Sequence, residues 1–350
     1  MRDKLPDRMN PLTLLLLASL GGCALRSAGG GTLQPAIRFS EYSPLASSGE
    51  IVRRTLPPLT QRYGQQVLAR KGQALREHPV DLAEEEFAVY VPAGPPPKEG
   101  YGLLVFVSPG DDALQPVYWR APLDRHRVIF VCAARSGNEA LLLERRIPLA
   151  VLAWQNVRAR YPIDPARVYV GGLSGGSRVA EMLALGYPDL FRGALLNAGS
   201  DPIDGTRGIY LPPADLFHQF QRTRVVFVTG AHDDVNLDDD AASRHSLRDF
   251  CVFDTEVKQP PRLGHELMDA NALDGALSAL ERPPGVEAGR LSECNARLER
   301  ELSAQVALAE AAVARGDRDG ARALIRQLDG RYGGLAAPAV LELDARLTGH

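Results

Sequence analysis

Short apolar runs alternate with amphipathic segments between residues 85 and 281 of the chain. Four of the apolar runs are nearly continuous and rich in β-branched residues, which indicates strands buried on both faces; they are YGLLVFV, RVIFVCA, RVYVGGL and RVVFV. EEFAVYV and GALLN have the same character. This alternation predicts an α/β fold, a mostly parallel sheet with helices on both faces.

The segments between these strands have the three- to four-residue apolar spacing of helices. One segment runs from Asn138 to Pro162 and is broken or begun at Pro148, because proline lacks the N–H that a helix interior requires. A second predicted helix begins at Gly175, and further helix-like stretches cover residues 236–250 and 266–281.

The Pro-rich stretch ERPPG at residues 281–285 marks the end of the alternating region. Beyond it, apolar residues recur at three- or four-residue steps from Leu291 to Val313, which predicts a long amphipathic helix followed by two shorter ones. We therefore divide the chain into an α/β domain at residues 81–282 and a small C-terminal helical region at residues 283–350. Docking of these helices on the α/β domain is the simpler interpretation, and binding of a protein partner is the alternative.

The N-terminus combines basic residues with a short apolar stretch, PLTLLLLASL, which is too short to span a bilayer. It ends in LGGC, which resembles the lipobox of bacterial lipoproteins, where the cysteine, here Cys23, carries the lipid. We expect residues 1–23 to be a lipoprotein signal peptide and residues 24–80 to be a tether and an N-terminal segment. The resemblance implies anchoring in the bacterial cell envelope, and Ala24 favours the outer membrane, facing the periplasm. An ordinary cleaved signal peptide is the alternative.

Composition and charge are those of a globular protein and argue against a nucleic-acid partner. The 350 residues are 45% hydrophobic and carry a formal charge of −3, and no run of Lys or Arg forms a basic patch. Export to an oxidising compartment would permit disulfides among the cysteines other than Cys23. Cys132 lies in an apolar strand and is expected to be a buried free thiol. Cys251 and Cys294 either form a bridge or pack as small core residues on helix faces.

One serine stands among four glycines in GGLSGG, where a predicted strand meets a predicted helix. Residues 172–176 match G-x-S-x-G, a weak signal alone that indicates a nucleophile elbow when a strand precedes it and a helix follows. Such an elbow presents the Ser174 hydroxyl at the helix N-terminus, where the partial positive charge favours a developing anion. A phosphate-binding loop is the alternative, but the stretch lacks both GxGxxG and the P-loop lysine.

A serine hydroxyl needs a histidine base, and the base needs a carboxylate to orient it. On a sheet of this kind the chain order is serine, acid, histidine. The strand RVVFV ends in TGAHDD, so Asp233 is the candidate acid and Asp234 its alternative. Both could instead cap the next helix, as could Asn236. Among seven histidines, His265 alone follows the acid on a loop before a helix.

An oxyanion hole requires two backbone N–H donors. Gly175, directly after the candidate nucleophile, is expected to supply one of them. The other should come from the loop after YGLLVFV, where Pro109 has no N–H. Gly110 is therefore the second candidate donor and Asp111 the alternative. This chemistry requires no metal or organic cofactor.

The segment YPIDPARVYVGGLSGGSRVAEMLALGYPDLFRGALLNAGS resembles the α/β-hydrolase group of polyhydroxybutyrate depolymerases, feruloyl esterases and esterase-D-like enzymes. The shared features are the IDP turn, the elbow and the YPDLFRGA step into the next strand, and the resemblance covers roughly residues 85–280. It implies an α/β-hydrolase fold and a serine esterase with Ser174, Asp233 and His265 as the triad. It also implies an oxyanion hole at Gly110 and Gly175.

The chain departs from this group after the third strand, where Ser108-Pro109 replaces the usual His-Gly. The departure bears on the second oxyanion donor. The resemblance implies that a small-molecule or oligomeric carboxylic ester is cleaved through an acyl-serine intermediate. An amidase or peptidase with the same triad and a non-catalytic, hydrolase-like binding protein stay open as alternatives. Tyr210 and Leu211 are the candidates to line the substrate pocket.

Overall fold

The computed structural model describes residues 25–26, 30–283, 285 and 287–348. Within these residues the strands are β1 (Leu25–Arg26), β2 (Thr32–Ile37), β3 (Phe87–Val91), β4 (Tyr101–Val107), β5 (Val128–Ala133), β6 (Ile163–Leu173), β7 (Gly193–Asn197), β8 (Arg224–Val228) and β9 (Thr255–Lys258). The α-helices are α1 (Ser48–Thr55), α2 (Pro58–Arg70), α3 (Arg120–His126), α4 (Ile147–Arg160), α5 (Gly175–Gly186), α6 (Ala214–Phe220), α7 (Asp234–Asp249), α8 (Ala270–Leu280), α9 (Ala288–Ala314), α10 (Arg318–Tyr332) and α11 (Ala337–Thr348).

The strands in the described part of the chain form one sheet in the order β1-β2-β3-β5-β4-β6-β7-β8-β9. The pairs from β1 to β5 are antiparallel, and every pair from β5 through β9 is parallel. The predicted α/β-hydrolase fold, a mostly parallel sheet with helices and an additional C-terminal helical region, is confirmed.

The central strands are buried on both faces, which explains their nearly continuous apolar sequences. In β4, Leu103 and Val105 pack into the larger of two apolar cores, whereas Leu104 and Phe106 pack into the smaller one on the opposite face. Helices α4 and α5 contribute to the larger core, and α8 to the smaller. The sheet is therefore the middle of three layers, with helices packed on both of its faces.

Parallel pairing places the carboxyl ends of β6, β7, β8 and β9 at one edge of the sheet. The loops that follow these strands therefore start side by side although they lie far apart in sequence. In open α/β sheets, ligands generally bind at such an edge, outside the carboxyl ends of the strands. The candidate serine, acid and histidine all lie in these loops.

Part of the N-terminal stretch that was expected to be a tether forms a strand of the sheet. Residues 32–37 form β2, which lies between the two-residue edge strand β1 and β3 and pairs with β3 through Leu33 opposite Tyr90. The Gly31 N–H donates to the Tyr90 hydroxyl at 3.0 Å, which holds the start of this strand. The candidate lipidation residue Cys23 lies outside the described residues.

The C-terminal helices dock on helix α2 of the N-terminal segment and also on the α/β domain, where Gln221 donates to Asn295 at 2.6 Å. In α10, Asp329 Oδ1 accepts the Leu59 N–H at 3.0 Å. In α11, Asp344 accepts hydrogen bonds from the Arg62 guanidinium at 3.0 Å and from the Tyr63 hydroxyl at 2.5 Å. These buried carboxylates fix both helices against α2.

The cysteines separate as one pair and one free thiol in the described part of the chain. Cys251 after α7 and Cys294 in α9 form a disulfide with a Cα–Cα distance of 5.8 Å, which is the bridged alternative. Cys132 in β5 is buried and free, and burial raises the pKa of its thiol to about 12, so it is not a thiolate at neutral pH. No described helix is both long and apolar enough to cross a bilayer.

Candidate active site

The turn between β6 and α5 holds Ser174 in a conformation that side-chain-bearing residues rarely adopt, with φ 54° and ψ −123°. Glycine is required on both sides of it. A Cβ at Gly172 would stand 2.2 Å from the Gly176 carbonyl oxygen, and one at Gly176 would stand 2.1 Å from the Val107 carbonyl oxygen. The helix can thus approach the sheet closely, and the turn has the geometry of a nucleophile elbow.

The candidate acid lies immediately before the first residue of α7. The Asp233 side chain is 7% exposed, whereas Asp234 is exposed. Asp233 occupies the N-cap position of α7, and its side chain is directed to His265, which its Oδ2 contacts at 2.8 Å. The structure therefore brings Asp233, and not Asp234, to the histidine.

The loop that carries His265 is held against the ends of β7 and β8. A Cβ at Gly230 would stand 2.2 Å from the Leu263 carbonyl oxygen, so only glycine permits this approach of the acid and histidine loops. Asn197, at the end of β7, accepts the Met268 N–H at 2.9 Å and donates to the Glu266 carbonyl at 3.3 Å. The buried Asn197 amide thus holds the backbone of the residues that directly follow His265.

The three candidate residues meet in hydrogen-bonding distance. His265 Nε2 lies 2.9 Å from Ser174 Oγ, and His265 Nδ1 lies 2.8 Å from Asp233 Oδ2. Because the carboxylate accepts only, Nδ1 carries the proton and Nε2 is free to accept the serine proton. The histidine side chain is half exposed, so the hydroxyl is reachable from solvent.

The surroundings keep Asp233 ionised. Burial alone would raise the pKa of this carboxyl, but hydrogen bonds from Asn236 and His265 outweigh it and hold the pKa below its usual 3.8. A charged Asp233 carboxylate at Nδ1 stabilises the imidazolium that forms when His265 accepts a proton at Nε2.

The two candidate oxyanion donors differ in their surroundings. Gly175 begins α5, so its N–H belongs to the first turn and has no acceptor within the helix. The Gly110 N–H instead donates to the Ser108 hydroxyl at 3.1 Å, so in this conformation it is engaged within its own loop. The second donor stays a prediction, with the Asp111 N–H as the alternative. Asn138 lies against the elbow, since a Cβ at Gly175 would stand 2.2 Å from its Oδ1.

Two neighbours of the site were not identified as site residues from the sequence. Asn236 does not cap α7; its amide nitrogen lies 2.9 Å from both carboxylate oxygens of Asp233. Arg178 in α5 in turn donates to the Asn236 amide oxygen at 3.3 Å. Of the two residues expected to line the pocket, Leu211 is only 1% exposed and belongs to the larger core, so that expectation is wrong for Leu211. Tyr210 is partly exposed and stays a prediction.

The sheet order, the elbow and the meeting of Ser174, Asp233 and His265 beyond the carboxyl ends of β6, β8 and β9 together define an α/β-hydrolase. No family model matches the chain. A 65-residue stretch is 40% identical to poly(3-hydroxyalkanoate) depolymerase C of Paucimonas lemoignei and covers 19% of this chain. The stretch spans only 14% of the length of that depolymerase.

Solved structures with a similar fold include FphF, a fluorophosphonate-binding serine hydrolase of Staphylococcus aureus. It is 12% identical with a TM-score of 0.44, over 57% of this chain and 93% of FphF. A ferulic acid esterase is 15% identical with a TM-score of 0.41, over 55% of this chain and 89% of the esterase.

Proposed function

We propose that this protein is a serine hydrolase that cleaves carboxylic esters through an acyl-serine intermediate. The observation that carries the proposal is the continuous hydrogen-bonded path from Ser174 Oγ through both nitrogens of His265 to Asp233 Oδ2, with distances of 2.9 and 2.8 Å. These are distances at which a base can take the serine proton without prior rearrangement.

In the first half-reaction Ser174 Oγ bonds to the ester carbonyl carbon while its proton passes to His265 Nε2. The carbonyl oxygen becomes an oxyanion, which the Gly175 N–H and the positive end of α5 stabilise. The intermediate then collapses, the bond to the alcohol oxygen breaks, and His265 returns the proton to the departing alcohol. Asp233 holds the imidazole in the required tautomer throughout.

In the second half-reaction a water molecule replaces the alcohol. His265 takes a proton from the water as its oxygen bonds to the acyl carbon, and the second tetrahedral intermediate releases the carboxylic acid and restores the Ser174 hydroxyl. The half-exposed histidine leaves room for that water. Local similarity to a depolymerase of poly(3-hydroxyalkanoate) supports an ester, rather than an amide, as the substrate.

The test is hydrolysis of nitrophenyl esters of increasing acyl length, beside matched nitroanilides, by the wild-type protein and by Ser174→Ala. We expect ester hydrolysis that Ser174→Ala abolishes, and labelling of Ser174 by a fluorophosphonate. Faster cleavage of the anilides would favour the amidase alternative. Folded wild-type protein that neither turns over esters nor labels would favour the binding-protein alternative and refute the proposal.

We further propose that the protein is a lipoprotein of the bacterial outer membrane, anchored through Cys23 and facing the periplasm. The LGGC sequence supports this location, and so does the Cys251–Cys294 disulfide, since such bridges persist mainly in oxidising compartments. Membrane fractions should contain a lipid-modified peptide beginning at Cys23, and Cys23→Ser should abolish the modification. An unmodified mature N-terminus at another residue would contradict the anchor.

A further inference from the structure

A buried amide fills the space beside the hydrogen bond between Asp233 and His265. The Asn236 side chain is 6% exposed, and its Nδ2 donates to Asp233 Oδ1 and Oδ2, each at 2.9 Å. Nδ2 also lies 2.9 Å from His265 Nδ1, but this is not a hydrogen bond because Nδ1 donates its proton to Asp233. Among the described residues, Asp233 Oδ1 has no other side-chain donor within hydrogen-bonding distance. The carboxylate is therefore held between one imidazole and one amide.

The orientation of this amide is set from its other side. Arg178 donates to Asn236 Oδ1 at 3.3 Å. Rotating the amide by half a turn would direct its two N–H groups at the guanidinium and its oxygen at the carboxylate of Asp233, so both contacts would become repulsive. The flanking charges thus leave one orientation, in which the N–H groups face the acid.

Arg178 is itself fixed in place. It lies four residues after Ser174 in α5, and its guanidinium contacts Asp239 at 2.9 Å and Asp201 at 3.2 Å. The helix that begins at the nucleophile therefore also carries the group that orients the amide beside the acid.

We propose that Asn236 and Arg178 are positioning residues for ester hydrolysis: Arg178 orients the Asn236 amide, which holds the Asp233 carboxylate in line with His265 Nδ1. This inference rests on the proposed function. Without the amide, the carboxylate can rotate away from the imidazole, and a misplacement of this kind costs catalysis rather than substrate binding.

The chain offers a matched control. Arg207 contacts the same two carboxylates as Arg178, Asp239 at 2.6 Å and Asp201 at 3.2 Å, but it makes no described contact with Asn236. A change at Arg207 therefore removes ion pairs of the same cluster and leaves the amide oriented.

The experiment compares kcat and KM for a nitrophenyl ester in variants whose folding is checked by circular dichroism. We expect Asn236→Ala to lower kcat about 10- to 100-fold with little change in KM. Arg178→Ala should lower kcat by a smaller factor, Arg178→Lys should restore most of it, and Arg207→Gln should match the wild type. The double variant Asn236→Ala/Arg178→Ala should be no slower than Asn236→Ala, because Arg178 acts through the amide.

A folded Asn236→Ala protein with wild-type kcat would overturn the inference, and so would an equal loss in Arg207→Gln and Arg178→Ala. If Asn236→Ala does not fold, Asn236→Asp keeps the size and directs an oxygen at Asp233. Loss of kcat in that folded variant supports the inference, and wild-type kcat refutes it. Ser174→Ala separates the two proposals, because turnover in that variant would refute the hydrolase itself.

Discussion

Replacing Ser174 by glycine should make the protein more stable than replacing it by alanine. Both variants lose the hydroxyl and its 2.9 Å contact with His265, so they differ only in the Cβ atom. At φ 54° and ψ −123° that atom is strained, and residues held in such regions cost about 1–3 kcal/mol. Glycine adopts the same angles freely.

The strain relief is partly offset in the unfolded state. Glycine makes the unfolded chain more flexible than alanine does, which costs about 0.4–1 kcal/mol on folding. The difference leaves Ser174→Gly more stable than Ser174→Ala by about 0.5–2 kcal/mol. With a urea dependence of about 3 kcal/mol/M, the unfolding midpoint should rise by roughly 0.2–0.7 M.

The assay is urea unfolding followed by circular dichroism for both variants at one pH. Ser303, an exposed residue near the middle of α9, supplies the control. There the backbone is helical, so Ser303→Gly should be less stable than Ser303→Ala by about 1 kcal/mol. An equal or lower midpoint for Ser174→Gly than for Ser174→Ala, at equal urea dependence, would refute the claim that the elbow is strained.

Three further changes act on stability. Burial raises the pKa of Glu181 to about 8, against 4.5 in the unfolded chain. The stabilisation of the fold by the protonated Glu181 side chain is therefore complete below about pH 4.5 and is lost as the pH rises to 8. Glu181→Gln, which does not titrate, should therefore gain stability over the wild type from pH 5 to pH 8, by up to about 4 kcal/mol in urea unfolding. Reducing the Cys251–Cys294 bridge, which closes a separation of 43 residues, should cost about 3–4 kcal/mol in the same assay. Gly176→Ala should prevent folding, as judged by the yield of soluble protein, because the Val107 carbonyl cannot move away.

The alternation of apolar and amphipathic segments was sufficient to predict the fold. Each central strand is buried on both faces, and its sequence is therefore apolar at nearly every position. The N-terminal segment could not be read in the same way. Strand β2 is covered on its outer side only by the two-residue strand β1, has exposed positions and a proline at residue 35, and pairs with β3 at least 50 residues further on. No local pattern records a pairing over such a distance.

The site divides along the same line. Ser174, Asp233 and His265 follow strand ends in a fixed order, so topology alone predicts that they converge. From the local sequence, Asn236 could only be interpreted as a helix cap. Its place beside the acid depends on its contact with Arg178, which lies 58 positions away in another helix, so no local pattern could predict it. The Ser108 hydroxyl accepting the Gly110 N–H is a local contact, and a serine two residues before the donor is a known signal for such a turn.

Helices α5 and α7 each begin next to a catalytic residue, and their other ends contact helices outside the catalytic site. Helix α7 begins after Asp233 and ends before Cys251, and its 16 residues place the disulfide about 24 Å from the acid. Helix α5 likewise begins after Ser174 and ends at Gly186, whose carbonyl accepts a hydrogen bond from Arg54 in α1. The disulfide to α9 therefore holds the far end of α7, and α1 holds the far end of α5. Opening the disulfide should lower stability without altering kcat.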